Sequence, residues 1–196
     1  NPDARGIRER KGAVDAAVEF TEPGVAAANA VACLESGIPV VVGTTGWYEQ
    51  RDVVEQRARD VNGALLIAPN FSLGVALATE IARAAAAIFA PHPQFEATLV
   101  ETHHSAKKDA PSGTARSIGA AVEGSLGREI PITSVRVGSV PGTHTLIFDG
   151  PFEQIVITHE ARDRRVFADG ALRAATWLAG RTGVFTMRDV TAIPER

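Results

Sequence analysis

The chain has 196 residues, 45% of them hydrophobic and 22% charged, enough for one large domain or two small ones with a buried core rather than a disordered tail. Twenty Lys and Arg stand against twenty-three Asp and Glu, a net charge of -3, and no basic tract could neutralise a row of phosphates, so nucleic acid is not an expected partner. No window approaches the roughly 20 apolar residues of a membrane helix, the start has no basic-then-apolar pattern, and the single cysteine, Cys33, can form no disulfide within the chain; the expectation is a cytoplasmic protein without a membrane partner, with Cys33 buried and reduced.

Residues 1–13 are polar, mix Arg8, Glu9, Arg10 and Lys11, and show neither alternation nor helical period, so they read as a loose lead-in. The only methionine is Met187 and the chain opens on Asn1-Pro2-Asp3, which raises the expectation that further sequence precedes it. From Val14 short apolar runs alternate with helical stretches, the pattern of a parallel sheet covered by helices. The first strand is expected from Val14 to Phe20, with Thr21 capping a helix through Ala26, Ala30, Val31 and Leu34 that Gly37 stops. Pro39 to Val42 is the second strand, ending in Gly43-Thr44-Thr45-Gly46, and a helix from about Tyr48 to Asp60 turns Val53, Val54 and Ala58 inward. Ala64 to Ala68 is the third strand, Pro69-Asn70-Phe71-Ser72 turns the chain, and the Ala-rich stretch from Gly74 to Ala90 reads as a well-buried helix.

After Pro91-His92-Pro93 the segments lengthen and alternate. Phe95 to Glu101, Ile132 to Val140, His144 to Phe148 and Phe152 to His159 are predicted strands of a second, sheet-rich domain. A helix from near Pro111 through Ile118 and Val122 to Gly124 interrupts them. Ala168 to Ala179 is an amphipathic helix with Leu172, Ala175 and Leu178 on one side, stopped by Gly180, and it is suited to pack back on the first domain. No solenoid repeat and no low-complexity linker occurs.

All five histidines lie after residue 91, two of them side by side in Glu101-Thr102-His103-His104-Ser105-Ala106-Lys107-Lys108-Asp109-Ala110-Pro111-Ser112-Gly113-Thr114-Ala115. A strand is expected to end at Glu101, a polar loop carries two imidazoles and two ammonium groups, and Pro-Ser-Gly-Thr opens a helix. That layout builds an anion site. Pro111 suits a first turn, where its missing donor is not needed, and the first-turn amides of Gly113 and Thr114 would face any carboxylate docked at the helix start. Lys107 adds a positive charge on a flexible stem, and His103 can give or take a proton near neutral pH. The implied substrate is small, acidic and protonated during reaction. The plainer alternative is a solvated loop before an ordinary helix start. Adjacent histidines point to opposite sides of an extended chain, there is no HExxH and Cys33 is remote in sequence, so no metal site is expected. A hydrolase triad of Ser112, His103 and Asp109 lacks the GxSxG elbow that would support it.

In open parallel sheets ligands bind beyond the carboxyl ends of the strands. Three consecutive predicted strand ends carry polar or turn residues, Phe20-Thr21, Gly43-Thr44-Thr45 and Ala68-Pro69-Asn70-Phe71, which would line one crevice. Turns of this composition also serve merely to cap helices, but three on one edge favour a ligand. No G-x-G-x-x-G follows a first strand.

The run Glu101-Thr102-His103-His104, followed by Lys107 and Asp109-Ala110-Pro111-Ser112-Gly113-Thr114-Ala115, resembles the signature of the dihydrodipicolinate reductase family, also called 4-hydroxy-tetrahydrodipicolinate reductase, of bacterial lysine and diaminopimelate biosynthesis. The likeness extends through Glu19-Phe20-Thr21-Glu22-Pro23, Val42-Gly43-Thr44-Thr45-Gly46, Ala68-Pro69-Asn70-Phe71-Ser72, Arg136-Val137-Gly138, Gly142-Thr143-His144-Thr145 and Phe167-Ala168-Asp169-Gly170-Ala171 to Met187-Arg188-Asp189-Val190. It implies an α/β fold: a Rossmann-type parallel sheet from residues 1–72 and 167–196, with an inserted α+β substrate-binding and oligomerisation domain over residues 73–166. It also implies an oxidoreductase that takes NADPH or NADH and reduces a cyclic dicarboxylate, 4-hydroxy-tetrahydrodipicolinate, with loss of water.

On the family's pattern His103 is the proton donor or acceptor and Lys107 a second donor, while His104, with the Gly113 and Thr114 amides, binds the dicarboxylate. Phe20, Thr21, Gly43, Thr44, Thr45, Ala68, Pro69, Asn70 and Phe71 match residues that contact the nicotinamide nucleotide. Family members are typically tetramers joined through the sheets of the substrate domain, so a homotetramer is expected. They begin with a strand, a glycine-rich turn for the pyrophosphate and a charged residue near the adenine ribose. This chain starts after those features, so the resemblance implies a truncated Rossmann unit, weak or absent NADPH binding by these 196 residues as read by titration, and no legible preference between NADPH and NADH. The rivals are a non-catalytic homologue that binds a dicarboxylate or oligomerises without a working cofactor site, and a different Rossmann reductase. The presence of both His103 and Lys107 argues against the first, and the joint occurrence of the His-His, Lys and Pro-Ser-Gly-Thr set against the second.

Overall fold

Wholly apolar β-branched runs such as Val40-Val41-Val42 must be covered on both faces, and a parallel sheet flanked by helices provides that cover. The computed structural model describes residues 5–191. In chain order these form α1 (Arg5–Arg8), β1 (Ala17–Glu19), α2 (Pro23–Glu35), β2 (Val40–Val42), a 3-10 turn (Tyr48–Gln50), α3 (Arg51–Asp60), β3 (Ala64–Ile67), α4 (Leu73–Phe89), β4 (Glu96–His103), α5 (Gly113–Leu126), β5 (Ile132–Arg136), β6 (Thr143–Asp149), β7 (Gln154–Glu160), α6 (Arg165–Leu178), β8 (Gly183–Phe185) and α7 (Met187–Val190). The α/β class read from the sequence is the class of the structure. The chain divides into two compact units, one made of residues up to Leu73 with those from Phe167 onward, the other Gly74–Val166. No helix among the described residues is long and apolar enough to cross a membrane.

The first unit holds an all-parallel sheet in the order β1-β2-β3-β8. Its core joins Val40, Val42, Leu65 and Ile67 of the strands to Ala26, Ala30, Cys33 and Leu34 of α2 and to Val54 and Ala58 of α3. Cys33 is a free thiol in this core, and burial, with Glu19 adding to it, pushes its pKa up to about 11. The second unit holds a mixed sheet, β5-β4-β6-β7, in which only β4 and β5 run parallel. Leu99, Leu146 and Phe148 pack there against Ala82, Ala86 and Phe89 of α4 and Ile118 and Val122 of α5. Phe89 stacks on Phe148 at a centroid distance of 4.2 Å. Along β4 burial alternates, so Ala97, Leu99, Glu101 and His103 share the inner face. That face is apolar at one end and ionisable at the other.

Several expectations are corrected. Thr21 does not cap α2: the N-cap is Glu22, with no side-chain cap bond, and the Thr21 hydroxyl instead donates to the Glu19 carboxylate. Val53 is 69% exposed, since only Val54 and Ala58 of α3 face the core. The helix expected to be well buried, α4, leaves Leu77, Ile81 and Ile88 exposed. Leu172 of α6 is also outward, the buried positions being Gly170, Ala171, Ala174, Ala175 and Leu178. Pro111 lies before α5 rather than in its first turn, after a cis Ala110–Pro111 peptide, and Ser112 is the N-cap, accepting the Ala115 N–H at 3.1 Å. The lead-in contains α1, whose Ile7 packs against the first core; residues 1–4 of that lead-in lie outside the described residues. Strand β8 has no counterpart among the predicted elements.

Candidate active site

In the first unit the ends of β1, β2 and β3 are adjacent because the strands pair in register, Glu19 beside Val42 and Val42 beside Ile67. All nine residues singled out there are thereby brought to one edge. The Thr21 N–H donates to Thr44 Oγ1 at 2.9 Å. The Phe20 ring leans on Phe71 with centroids 5.3 Å apart, and it lies over Gly43 so closely that a Cβ there would overlap it, with Phe20 Cε2 at 2.7 Å. Gly43 is therefore what lets Phe20 cross the end of β2. Thr45 and Pro69 are exposed, Ala68 is buried at the end of β3, and Asn70 accepts the Ser72 N–H at 2.8 Å, closing the turn that carries Phe71. This edge presents the exposed Phe20 ring beside the exposed Thr45 and Pro69.

In the second unit the strand expected to stop at Glu101 continues to His103, because Thr102 pairs with Val135 on one side and Thr143 on the other. Two residues apart on one face, Glu101 and His103 meet: Oε2 of Glu101 accepts from Nδ1 of His103. The other carboxylate oxygen accepts from Arg136 Nη2 at 2.7 Å and from the Ser112 N–H at 3.3 Å. Arg136 also donates to the Asp109 carbonyl at 2.6 Å. Lys107 Nζ lies 2.7 Å from Asp109 Oδ1. Hydrogen bonds from Lys107 above all, with the Gly113 amide adding to them, hold the Asp109 carboxyl below its ordinary range. So Asp109 engages two of the groups expected to receive a substrate carboxylate. His104 falls just past the strand, half-buried, its carbonyl accepting the Lys107 N–H at 3.1 Å. Thr114 is half-buried in the first turn of α5. The imagined hydrolase triad does not form, since Ser112 Oγ faces His144 Nε2 at 3.4 Å and Asp109 pairs with Lys107.

Burial would raise the Glu101 carboxyl, but hydrogen bonds from Arg136, Ser134 and His103 outweigh it and bring the group down to about 2. Burial lowers His103, with Lys107 and Arg136 adding to the effect and Glu101 opposing it. Burial takes His144 down to about 4, helped by His103 and His159. Glu101, His103 and His144 also lie close enough for one donor atom each to fall within 4.8 Å of the others. Both Glu101 oxygens are already committed to hydrogen-bond donors, one of them a guanidinium, which suits proton handling better than a cation.

A pH dependence of stability follows. His144 folds as a neutral imidazole, so between its ordinary value near 6.5 and about 4 the unfolded chain binds a proton that the folded chain refuses. The contribution of His144 should be full above pH 6.5 and fall through this window by on the order of 3 kcal/mol. Thermal melts from pH 7 to 4 measure it, and His144→Leu should flatten the decline; an unchanged slope in that variant contradicts the assignment.

Sequence reasoning assigned no role to Glu101, Arg136 or His144, and weighed Ser112 only in a hydrolase triad, although each stood in a quoted motif. The i, i+2 spacing of Glu101 and His103 was a readable signal once the strand is extended; the partners from β5 and β6 were not.

Over residues 5–71 the chain matches the family described as "Dihydrodipicolinate reductase, N-terminus", and over residues 74–191 the one described as "Dihydrodipicolinate reductase, C-terminus". A Methanosarcina mazei protein named 4-hydroxy-tetrahydrodipicolinate reductase is 36% identical over 201 residues, covering 94% of this chain and 75% of the relative. One of the same name from Halorhodospira halophila is 37% identical over 203 residues, covering 92% and 74%. A solved dihydrodipicolinate reductase from Paenisporosarcina sp. TG-14, with dipicolinate bound, shares the fold with a TM-score of 0.77 at 24% identity, over 91% of this chain and 74% of that one.

Proposed function

Because the chain belongs to the dihydrodipicolinate reductase family and is thus a nicotinamide-dependent oxidoreductase of lysine biosynthesis, we propose that His103 and Lys107 handle the proton in the reduction of 4-hydroxy-tetrahydrodipicolinate to tetrahydrodipicolinate. The observation that carries this reading is His103, held by a buried carboxylate at the end of β4, with the charge of Lys107 close enough to lower its pKa. The unit from Gly74 to Val166 is assigned the substrate, and the unit formed by both chain ends the nucleotide.

A bound NADPH or NADH supplies the hydride, and Phe20, Thr21, Gly43, Thr44, Thr45, Ala68, Pro69, Asn70 and Phe71 are the residues that would hold it. One substrate carboxylate takes the start of α5, receiving the Gly113 and Thr114 amides with His104 beside them and competing with Asp109 for its donors. Lys107 adds charge to that docking. In its imidazolium form His103 gives a proton as the hydroxyl leaves as water, so the developing negative charge is met by a positioned donor. The overall change consumes substrate, reduced nucleotide and a proton and yields product, oxidised nucleotide and water.

The experiment is consumption of NADPH and, separately, NADH by this protein, with substrate made in place from pyruvate and aspartate semialdehyde by the preceding synthase. Turnover supports the reading; none under conditions where both ligands bind overturns it in favour of a binding homologue. Thr114→Val, which keeps shape and removes the hydroxyl, should raise KM by roughly 3- to 10-fold with little change in kcat. A loss confined to kcat contradicts its place in binding. A homotetramer is proposed on Ile155 and Val156 of β7 and the fully exposed Phe152 nearby; light scattering that gives a monomer rejects it. The reaction draws on the reduced-nucleotide pool, so a cytoplasmic location is proposed, and recovery in the membrane fraction would count against it.

A further inference from the structure

A neutral imidazole has two tautomers, and only one presents the correct nitrogen to a reacting atom. On β4 that choice is settled by a neighbour. Glu101 is 0% exposed and its Oε2 accepts from His103 Nδ1, which leaves Nε2 as the atom free for exchange. Gly142 keeps that side clear, since a Cβ there would stand 2.9 Å from His103 Nε2. The same carboxylate, through Oε1, accepts the Ser112 N–H that opens α5 and the Arg136 guanidinium, which in turn grips the Asp109 carbonyl. One buried anion thus joins the imidazole, the helix start and the loop bearing Lys107.

We propose that Glu101 is the positioning residue of the reductase site: it keeps the Nδ1 proton of His103 in both protonation states, so that Nε2 is the nitrogen that takes up and gives the transferred proton, and it ties that imidazole to the carboxylate-binding start of α5. The proposal rests on the reading of His103 as the proton-transfer group. Glu101 never touches substrate in this scheme; it acts through His103, as an orienting carboxylate does beside other catalytic imidazoles.

The charged groups around the imidazole set the sign of a pH test. Glu101 is the anion that favours imidazolium, while Lys107 and Arg136 oppose it, and His144, whose ring centroid is 5.3 Å away, does so when protonated. If His103 donates the proton, kcat falls as pH rises through its pKa. Glu101→Gln should lower kcat by roughly 10- to 100-fold with KM changed less than about 3-fold, and should move that falling limb to lower pH. His103→Ala is run beside it. Full turnover in His103→Ala defeats the underlying reading. Lost turnover there, with kcat and the limb unmoved in Glu101→Gln, overturns the positioning role alone. Because Arg136 would lose its buried carboxylate partner, misfolding of Glu101→Gln would not bear on function, so a second measurement uses the unaltered protein. The ring nitrogens of 15N-histidine-labelled protein at neutral pH should show His103 protonated on Nδ1; protonation on Nε2 instead overturns the proposal.

Discussion

His103→Ala is expected to cut turnover by about 10²- to 10⁴-fold, the usual worth of a general acid, and Lys107→Ala by at least about 10-fold, while both variants remain folded. The structural cost should be small in each case. His103 sits at the polar end of the inner face of β4, beyond the apolar core of Leu99, Leu146 and Phe148, and when it is gone Glu101 keeps Arg136 and the Ser112 amide. Lys107 pairs with Asp109 where both side chains remain partly exposed, and such pairs contribute no more than about 1 kcal/mol. Initial rates with NADPH, together with melting curves of the same samples, separate chemistry from folding. Unchanged turnover in both variants would remove the proton-handling roles, whatever the family.

Gly170→Ala is expected to destabilise the first unit by about 3 kcal/mol or more, a drop in Tm of roughly 6 to 12 °C for a chain of this size. Propensity alone points the other way, since alanine inside a helix is favoured over glycine by about 1 kcal/mol. Packing decides. A Cβ at Gly170 would overlap the Phe71 carbonyl oxygen and lie 2.8 Å from its carbon, and backbone cannot swing aside as a side-chain end can. Either α6 or the turn that closes on Asn70 must move, and that turn carries Phe71 of the proposed nucleotide edge. Gly124→Ala in α5 is the control: nothing stands within 4 Å of its would-be Cβ, so the propensity gain should appear there. A Gly170→Ala melt equal to that of the unaltered protein would refute the contact.

The parallel half of the fold was legible because its strands are wholly apolar and its helices follow at once, as in Val40–Val42 and Ala64–Ile67. Strand β8 was not. Gly183–Phe185 is half-buried throughout, carries no period, and is a strand because the free edge of β3 supplies partners for it. Thr21 shows the same limit on a smaller scale: its spacing suits a cap, yet the Glu19 carboxylate and Thr44 lie nearer in space. Val53 and Leu172 are apolar residues whose direction depends on where neighbouring elements lie, so period alone could not place them.

What the sequence determined by itself is the chemistry that sits contiguously in the chain: the His-His, Lys and Pro-Ser-Gly-Thr set, the three polar strand ends, and hence the family. The tertiary structure alone decided the protonation and aim of those groups. His103 lies on a strand and not in a loop because β5 and β6 both pair with Thr102, and Glu101 stays ionised because Arg136, 35 residues away in sequence, reaches it. Register and burial set these properties, and both arise from contacts between segments that no local stretch of sequence contains.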